Sequence, residues 1–202
     1  WEVLPKVALQ YDFSPTSLIY VSASKGYKTG GYNEQAFSKI LQDAMMQSLM
    51  GNAMGGSRPG ATTNSGPTLK EQLSYDPETS WAYELGGRYE MFERRLSVNY
   101  TLFYSKVNNI QIIKLQDQGT SGRTVDNAGK STSKGVELSL RYNPTKNFTL
   151  FSEYGYANAK FKNYVTEVKE NGKTVEANYS GNYIPFAPQH TLSVGASYVF
   201  NF

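Results

Sequence analysis

The residues of this sequence that could do chemistry stand on one side of alternating runs. Glu84, Arg88 and Glu90 share one parity, and Glu137, Arg141 and Glu153 occupy matching positions in two later runs. A pair of positioned carboxylates is the raw material of general acid–base catalysis. Glu84 and Glu90 share a face, but that alone fixes no separation between carboxyl groups, so it is no evidence for a glycosidase. His190 is the single histidine and has no second histidine beside it, so a metal site there is not expected. A capping or membrane-boundary role suits it better. With no cysteine, a disulfide framework and a thiolate zinc site are both excluded. The chain carries no nucleophile elbow and no phosphate-cradling glycine loop before a helix. No cofactor and no enzymatic activity are expected.

The elements that must hold these charges are strands. Period-two alternation of large and small or polar residues marks a strand with two unlike faces. Such runs hold Val7, Leu9 and Tyr11; then Ile19, Val21 and Ala23 within Ser17–Tyr27; then Trp81, Tyr83, Leu85, Gly87, Tyr89 and Met91. The fourth holds Leu96, Val98, Tyr100, Leu102 and Tyr104, and the fifth ends in Val136, Leu138, Leu140 and Tyr142. The sixth, about Asn147 to Phe161, has Phe148, Leu150, Tyr154 and Tyr156, with Ser152 interrupting; the seventh has Leu192, Val194, Ala196, Tyr198 and Phe200. Connections alternate in length. Asp12–Thr16, Phe92–Arg95 and Asn143–Lys146 are short; Lys28–Tyr75, Leu115–Asp126 and Lys162–Pro188 are long. That order predicts an all-β, antiparallel, up-and-down transmembrane β-barrel segment of about seven strands, with short turns at one end and long loops at the other.

Composition agrees. A net charge of +3, with the basic residues scattered, gives no footprint for nucleic acid. No stretch approaches the roughly 18 apolar residues of a transmembrane helix, but barrel strands hide their apolar side chains in alternation. The charged face would cost about 2–4 kcal/mol per charge against lipid at the midplane. It is therefore expected to face a polar lumen, with its charges solvated or paired. The aromatics Tyr11, Phe13, Tyr89, Tyr142, Phe148, Tyr198 and Phe200 gather near the short turns, and Trp81, Tyr83 and Tyr104 near the long loops. Two readings stand: interfacial girdles, where a ring is buried and its polar atom stays wet, or residues chosen as strand formers.

Four stretches carry a family likeness: VSASKGYKTGGYN (Val21–Asn33), YDPETSWAYELGGRYEMFERRLSVNYTLFYSKVNNIQI (Tyr75–Ile112), NAGKSTSKGVELSLRY (Asn127–Tyr142) and IPFAPQHTLSVGASYVF (Ile184–Phe200). They resemble TonB-dependent outer-membrane receptors, especially those for iron complexes. The resemblance implies a bacterial outer-membrane location, a 22-stranded barrel and an N-terminal plug that moves on energy delivered by TonB. Residues 1–202 would then be a partial barrel domain. The start at Trp1 without a leader, and the lack of a stretch matching the plug, the TonB box or the final strands, are expected of a segment of a longer chain. The partners implied are outer-membrane lipid, the TonB complex through the plug, and an iron chelate or similar small ligand. Import of cobalamin or another nutrient, and a passive porin-like barrel, remain as alternatives. A soluble β-sandwich is the structural alternative.

Ligand contacts are expected in the long loops. Within 28–75, Phe37, Ile40, Leu41, Ala44, Met45, Ser48 and Leu49 follow helical spacing, predicting a short helix over about 34–50. It either forms a lid over a vestibule or packs on the barrel rim. Tyr27, Lys28, Tyr32, Asn33, Arg58, Arg123, Tyr179 and Tyr183 are the candidate ligand-binding residues, because tyrosine rings and cations suit flat, anionic ferric chelates. Lys114, Gln116, Tyr164 and Lys173 are further rim positions.

Overall fold

The computed structural model describes residues 1–33, 45, 73–115, 123–170 and 173–200. Strands β1 (Lys6–Ser14), β2 (Ser17–Lys28), β3 (Gly31–Tyr32), β4 (Ser74–Tyr75), β5 (Glu78–Met91), β6 (Leu96–Asn108) and β7 (Gln111–Leu115) occupy the first half. Strands β8 (Arg123–Asn127), β9 (Lys130–Tyr142), β10 (Phe148–Asn163), β11 (Val165–Glu170), β12 (Lys173–Asn178) and β13 (His190–Tyr198) follow. Two compact units result. The first comprises Trp1–Tyr27, Thr79–Ile110 and Ala128–Phe202; the second comprises Lys28–Glu78 and Gln111–Asn127.

The first unit holds a seven-stranded antiparallel sheet in the order β1-β2-β5-β6-β9-β10-β13, with β1 and β13 at its edges. The seven alternating runs are these seven strands, most of them longer than the sequence pattern marks. Strand β13 is the exception, ending at Tyr198. Phe200 lies beyond it, yet its ring packs on Tyr198 with centroids 4.7 Å apart. The short connections are tight. Ser14 faces Ser17 across the Pro15-Thr16 loop, and the Thr16 amide donates to Ser14 Oγ at 3.2 Å. Between β5 and β6, Phe92, Glu93 and Arg94 are all left-handed, at φ 54°, 54° and 67°. Arg95 N donates to Phe92 O at 3.1 Å to close this turn, and Asn143 N donates to Arg95 O at 2.7 Å, tying it to the next turn.

Register on the polar face is held by rings seated over glycines. The Tyr20 ring covers Gly86, where a methyl would stand 2.6 Å from it. Phe103 lies over Gly135 and Phe151 over Gly195 in the same way. Tyr20 reaches one strand further, its hydroxyl 3.3 Å from Thr101 Oγ1. An aromatic ring that fills a neighbouring glycine's vacancy recovers packing that glycine cannot supply.

The long connections hold more structure than their sequences show. Strands β7 and β8 pair from Gln111↔Asn127 to Leu115↔Arg123, and β11 and β12 from Val165↔Asn178 to Glu170↔Lys173. These runs are five or six residues long and mixed in polarity, so period two is not visible in them. The helix expected over 34–50 falls outside the described residues apart from Met45.

Two expectations follow. A methyl at Gly135 meets the Tyr156 carbonyl oxygen as well as the Phe103 ring, whereas one at Gly155 meets only the rotatable Thr191 hydroxyl. Urea unfolding in detergent should show Gly135→Ala losing about 1–3 kcal/mol, with Gly155→Ala within about 0.5 kcal/mol of wild type. At the left-handed Glu93, Glu93→Gly should gain about 0.5–1 kcal/mol by the same assay, and Glu93→Val should lose stability.

Candidate ligand-facing surface

The register sorts the first unit's side chains into rows. On one face, Trp81, Lys106, Thr132 and Lys160 lie side by side across β5, β6, β9 and β10. The next row is Tyr83, Tyr104, Lys134 and Asn158; the one after is Leu85, Leu102, Val136, Tyr156 and His190. Further toward the short turns come Gly87, Tyr100, Leu138, Tyr154 and Leu192, and then Tyr89, Val98, Leu140, Ser152 and Val194. From Trp81 to Met91, at about 3.4 Å per residue, the strand runs about 34 Å. A tilt of about 40° reduces that to about 26 Å, close to the apolar band of about 25 Å on such barrels.

This face is bordered by rings at both ends. Trp81 stacks on Tyr83 at 6.1 Å, and Tyr83 on Tyr104 at 6.4 Å. Near the turns, Phe13 stacks on Tyr89 at 6.3 Å and Phe148 lies 6.4 Å from Tyr198. His190 lies one row inside the loop-end border, in the row of Leu85 and Val136: its Nδ1 is 2.8 Å from the Tyr154 hydroxyl and its ring 5.0 Å from that of Tyr156. Between the borders the apolar side chains are uncovered; Leu9 and Val194 are each 71% exposed. The buried apolar side chains among the described residues are Leu73, Ala128, Ala159 and Phe161. A sandwich core would need this face covered, and the described residues of the unit place nothing on it.

The opposite face carries the six charges of the alternating runs. Glu84 pairs with Phe103, Arg88 with Asn99, Glu90 with Ser97, Thr101 with Glu137, Ser97 with Arg141 and Ser139 with Glu153, so all six share one side. Ser22 Oγ donates to Glu84 Oε2 at 3.5 Å, and Arg88 Nε to Asn99 Oδ1 at 3.1 Å. Arg94 Nε is 3.5 Å from Glu90 Oε2. Asn99, Thr101, Glu137, Ser139, Glu153 and Ser193, with Leu138, Tyr154 and Leu192, line an open depression of about 510 Å³ and mixed polarity. Among the described residues Glu137 and Glu153 have no ion-pair partner there, leaving carboxylate acceptors open toward a polar or cationic solute.

The second unit is tied by side-chain amides, which carry both a donor and an acceptor. Asn33 Nδ2 donates to Val125 O at 2.8 Å while its Oδ1 accepts from Val125 N at 2.7 Å. Asn127 treats Asp76 likewise, accepting from its amide at 2.7 Å and donating to its carbonyl at 3.1 Å. Gln111 N donates to Glu78 Oε2 at 2.7 Å, and Gln111 Nε2 donates to the carbonyls of Thr29 and Asp76 at 2.9 and 3.1 Å. Sequence reasoning missed Asp76, Asn127 and Gln111. Their signal was the polar residues flanking the Pro77-Glu78-Thr79 and Asn127-Ala128-Gly129 stretches.

The loop candidates are dispersed. Tyr27 is exposed at the end of β2 in the first unit; Lys28 and Tyr32 are exposed in the second. Asn33 is the clasp just described, Arg123 opens β8, and Arg58 lies outside the described residues. Tyr179 packs on Tyr164 at 5.5 Å, and Tyr164 on Phe161 at 4.9 Å, at the base of the β11–β12 hairpin. Tyr183 bridges to Lys160, whose Nζ lies 4.4 Å from the ring centroid.

A long-stranded up-and-down sheet with an aromatic-bordered apolar face and a charged opposite face is the wall of a transmembrane β-barrel. The chain belongs to the TonB-dependent receptor-like β-barrel family, whose model matches residues 1–202, and such proteins sit in the bacterial outer membrane. The fold is similar to that of the ferric yersiniabactin uptake receptor FyuA from Yersinia pestis, with a TM-score of 0.60 at 19% identity over 100% of this chain and 23% of that one. It is also similar to the ferric-catecholate import receptor Fiu from E. coli K12, with a TM-score of 0.54 at 18% identity over 96% of this chain and 22% of that one. The ferripyoverdine receptor of the Pseudomonas aeruginosa outer membrane matches with a TM-score of 0.53 at 16% identity, over 98% of this chain and 20% of that one. The chain thus spans between a fifth and a quarter of the length of these structures.

The two faces should respond oppositely to charge. In folding titrations into lipid vesicles, Leu85→Arg on the apolar face should cost about 2–4 kcal/mol. Ser139→Arg, on the polar face beside Glu153, should cost under about 1 kcal/mol.

Proposed function

We propose that this segment serves a receptor for TonB-dependent active uptake of an iron–siderophore-type complex, acting in transport and not as an enzyme. The observation that carries the reading is the polar face, with six charged side chains and an open depression between strands that are apolar on their other side. A wall built this way lines a wet interior, where a polar solute is held by many weak contacts. The similar solved structures, which include receptors named for ferric yersiniabactin, ferric catecholates and ferripyoverdine, support iron chelates as the ligand class.

In this mechanism the ligand is caught by loop residues, with Tyr27, Lys28, Tyr32, Arg58, Arg123, Tyr179 and Tyr183 the proposed contacts. Rings offer flat surface at low entropic cost, and the cations offset the ligand's negative charge. Asn33 acts indirectly, by holding the β8 backbone at Val125, two residues from Arg123. Passage then requires a plug displaced with energy from the TonB complex. Glu84, Arg88, Glu90, Glu137, Arg141 and Glu153 form part of the lumen wall along which the solute moves.

Deletion of the full gene should abolish growth on at least one ferric siderophore as sole iron source. Uptake of the radiolabelled chelate by wild-type cells should stop on loss of TonB or on adding a protonophore. Unchanged iron supply with lost cobalamin or glycan use would reassign the ligand, and uptake indifferent to TonB would point to a passive porin.

A further inference from the structure

We propose that the 28–78 and 111–127 connections work as one cooperative recognition body, joined by a reciprocal exchange of amides in which Asn33 and Asn127 are the positioning residues. Each asparagine gives its backbone to its own loop and its side chain to the other. Asn33 N donates to Leu73 O at 2.8 Å, extending the β3–β4 pairing by one step, while its side-chain amide makes two hydrogen bonds to the Val125 backbone on β8. Asn127 stands opposite Gln111 in the β7–β8 ladder, while its side-chain amide makes two hydrogen bonds to the backbone of Asp76, just past β4.

A primary amide presents a donor and an acceptor side by side, as a peptide unit does. Each side chain therefore stands in for a strand neighbour at the point where it meets the other loop. Both asparagines are half-buried, and the four bonds are 2.7–3.1 Å long. Gln111 adds a third tie, its side-chain amide donating to the carbonyls of Thr29 and Asp76.

Neither hairpin is built to stand alone. Strands β3 and β4 pair over two residues each, and β7 and β8 over five. An isolated two-stranded ribbon is at best marginally stable in water. Among the described residues of this unit Leu73 is the one buried apolar side chain, so among them the ordering falls to the amide bonds. A tie supplied by one loop orders the other, and losing either asparagine releases both. The consequence for recognition is spacing. Tyr32 precedes Asn33, and Arg123 lies two residues before Val125, so a single clasp sets the backbone separation of two candidate contacts from different loops. That recognition role rests on the transport reading, in which the long connections meet the ligand; the coupling itself does not.

The test is hydrogen–deuterium exchange of the full-length receptor in mild detergent, without ligand, read by mass spectrometry. Asn127→Ala should speed exchange in 31–33 about tenfold, although no bond of the Asn127 side chain ends there, and Asn33→Ala should do the same to 111–115. The double variant should exchange no more than about twofold faster than the faster single one, because the first loss has already opened the body. Amides of β5 and β6 should keep their wild-type rates throughout, as should both loops in Asn158→Ala on β10. Should an alanine variant fail to insert, Asn33→Gln and Asn127→Gln, which displace the amide by one methylene, give the same cross-loop readout. Faster exchange confined to the mutated loop overturns the proposal. So does a double variant whose effect is the product of the two single ones. Uptake of the radiolabelled ferric chelate should fall by similar factors in both single variants and no further in the double. Unaltered uptake beside coupled exchange overturns the recognition role. A wild-type receptor that imports no ferric chelate fails the transport reading and leaves the exchange result standing.

Discussion

Each strand of the seven-stranded sheet carries an apolar row on one side and a polar row on the other, and the side-chain period of two leaves no slack between them. A slip of one residue on β5 would carry Glu84, Arg88 and Glu90 onto the apolar face and Trp81, Tyr83 and Leu85 onto the polar one. Within the bilayer no solvent accepts an orphaned amide, so each strand must also pair along its whole length. Register is therefore the quantity that the rest of the structure protects. The rings over Gly86, Gly135 and Gly195 protect it by shape, and the amide clasps of Asn33 and Asn127 protect the loop strands by hydrogen bonding.

The same constraint explains the location of the polar chemistry. Charges spaced by two along a strand fall on one face whatever their partners do. A wall with Arg88 against Asn99 and Glu137 across from Gly155 then needs few strong ion pairs to be stable. On the apolar face of β5, β6, β9, β10 and β13 the pattern reverses: among these strands lysines stand only at the loop end, at Lys106, Lys134 and Lys160.

Much of this wall was legible in the sequence because its signal is local. Trp81 to Met91 announces a strand, its buried and wet sides, and the turn that follows, all within a dozen residues. The place of His190, in one row with Tyr156 and Val136, needed the pairing of β13 with β10, which no single strand contains. The hairpins β7–β8 and β11–β12 were not legible, because five or six residues with polar side chains on both faces carry no period. Asn33 shows a further limit. As a loop amide it reads as a ligand contact, and its commitment to the Val125 backbone, ninety-two positions away, is set by tertiary folding alone.

Each of the three ring-over-glycine seats on the polar face joins strands that no tight turn connects. Tyr20 on β2 covers Gly86 on β5, Phe103 on β6 covers Gly135 on β9, and Phe151 on β10 covers Gly195 on β13. In every case a long loop lies between the two strands, while the turn-joined pairs have their alignment set by the turn itself. The wall thus carries its own alignment marks where the chain supplies none. Loop length is then decoupled from wall geometry, and lengthening a flexible loop costs little, about 0.6 kcal/mol per doubling. A lineage can rewrite the loops without re-solving how the strands align.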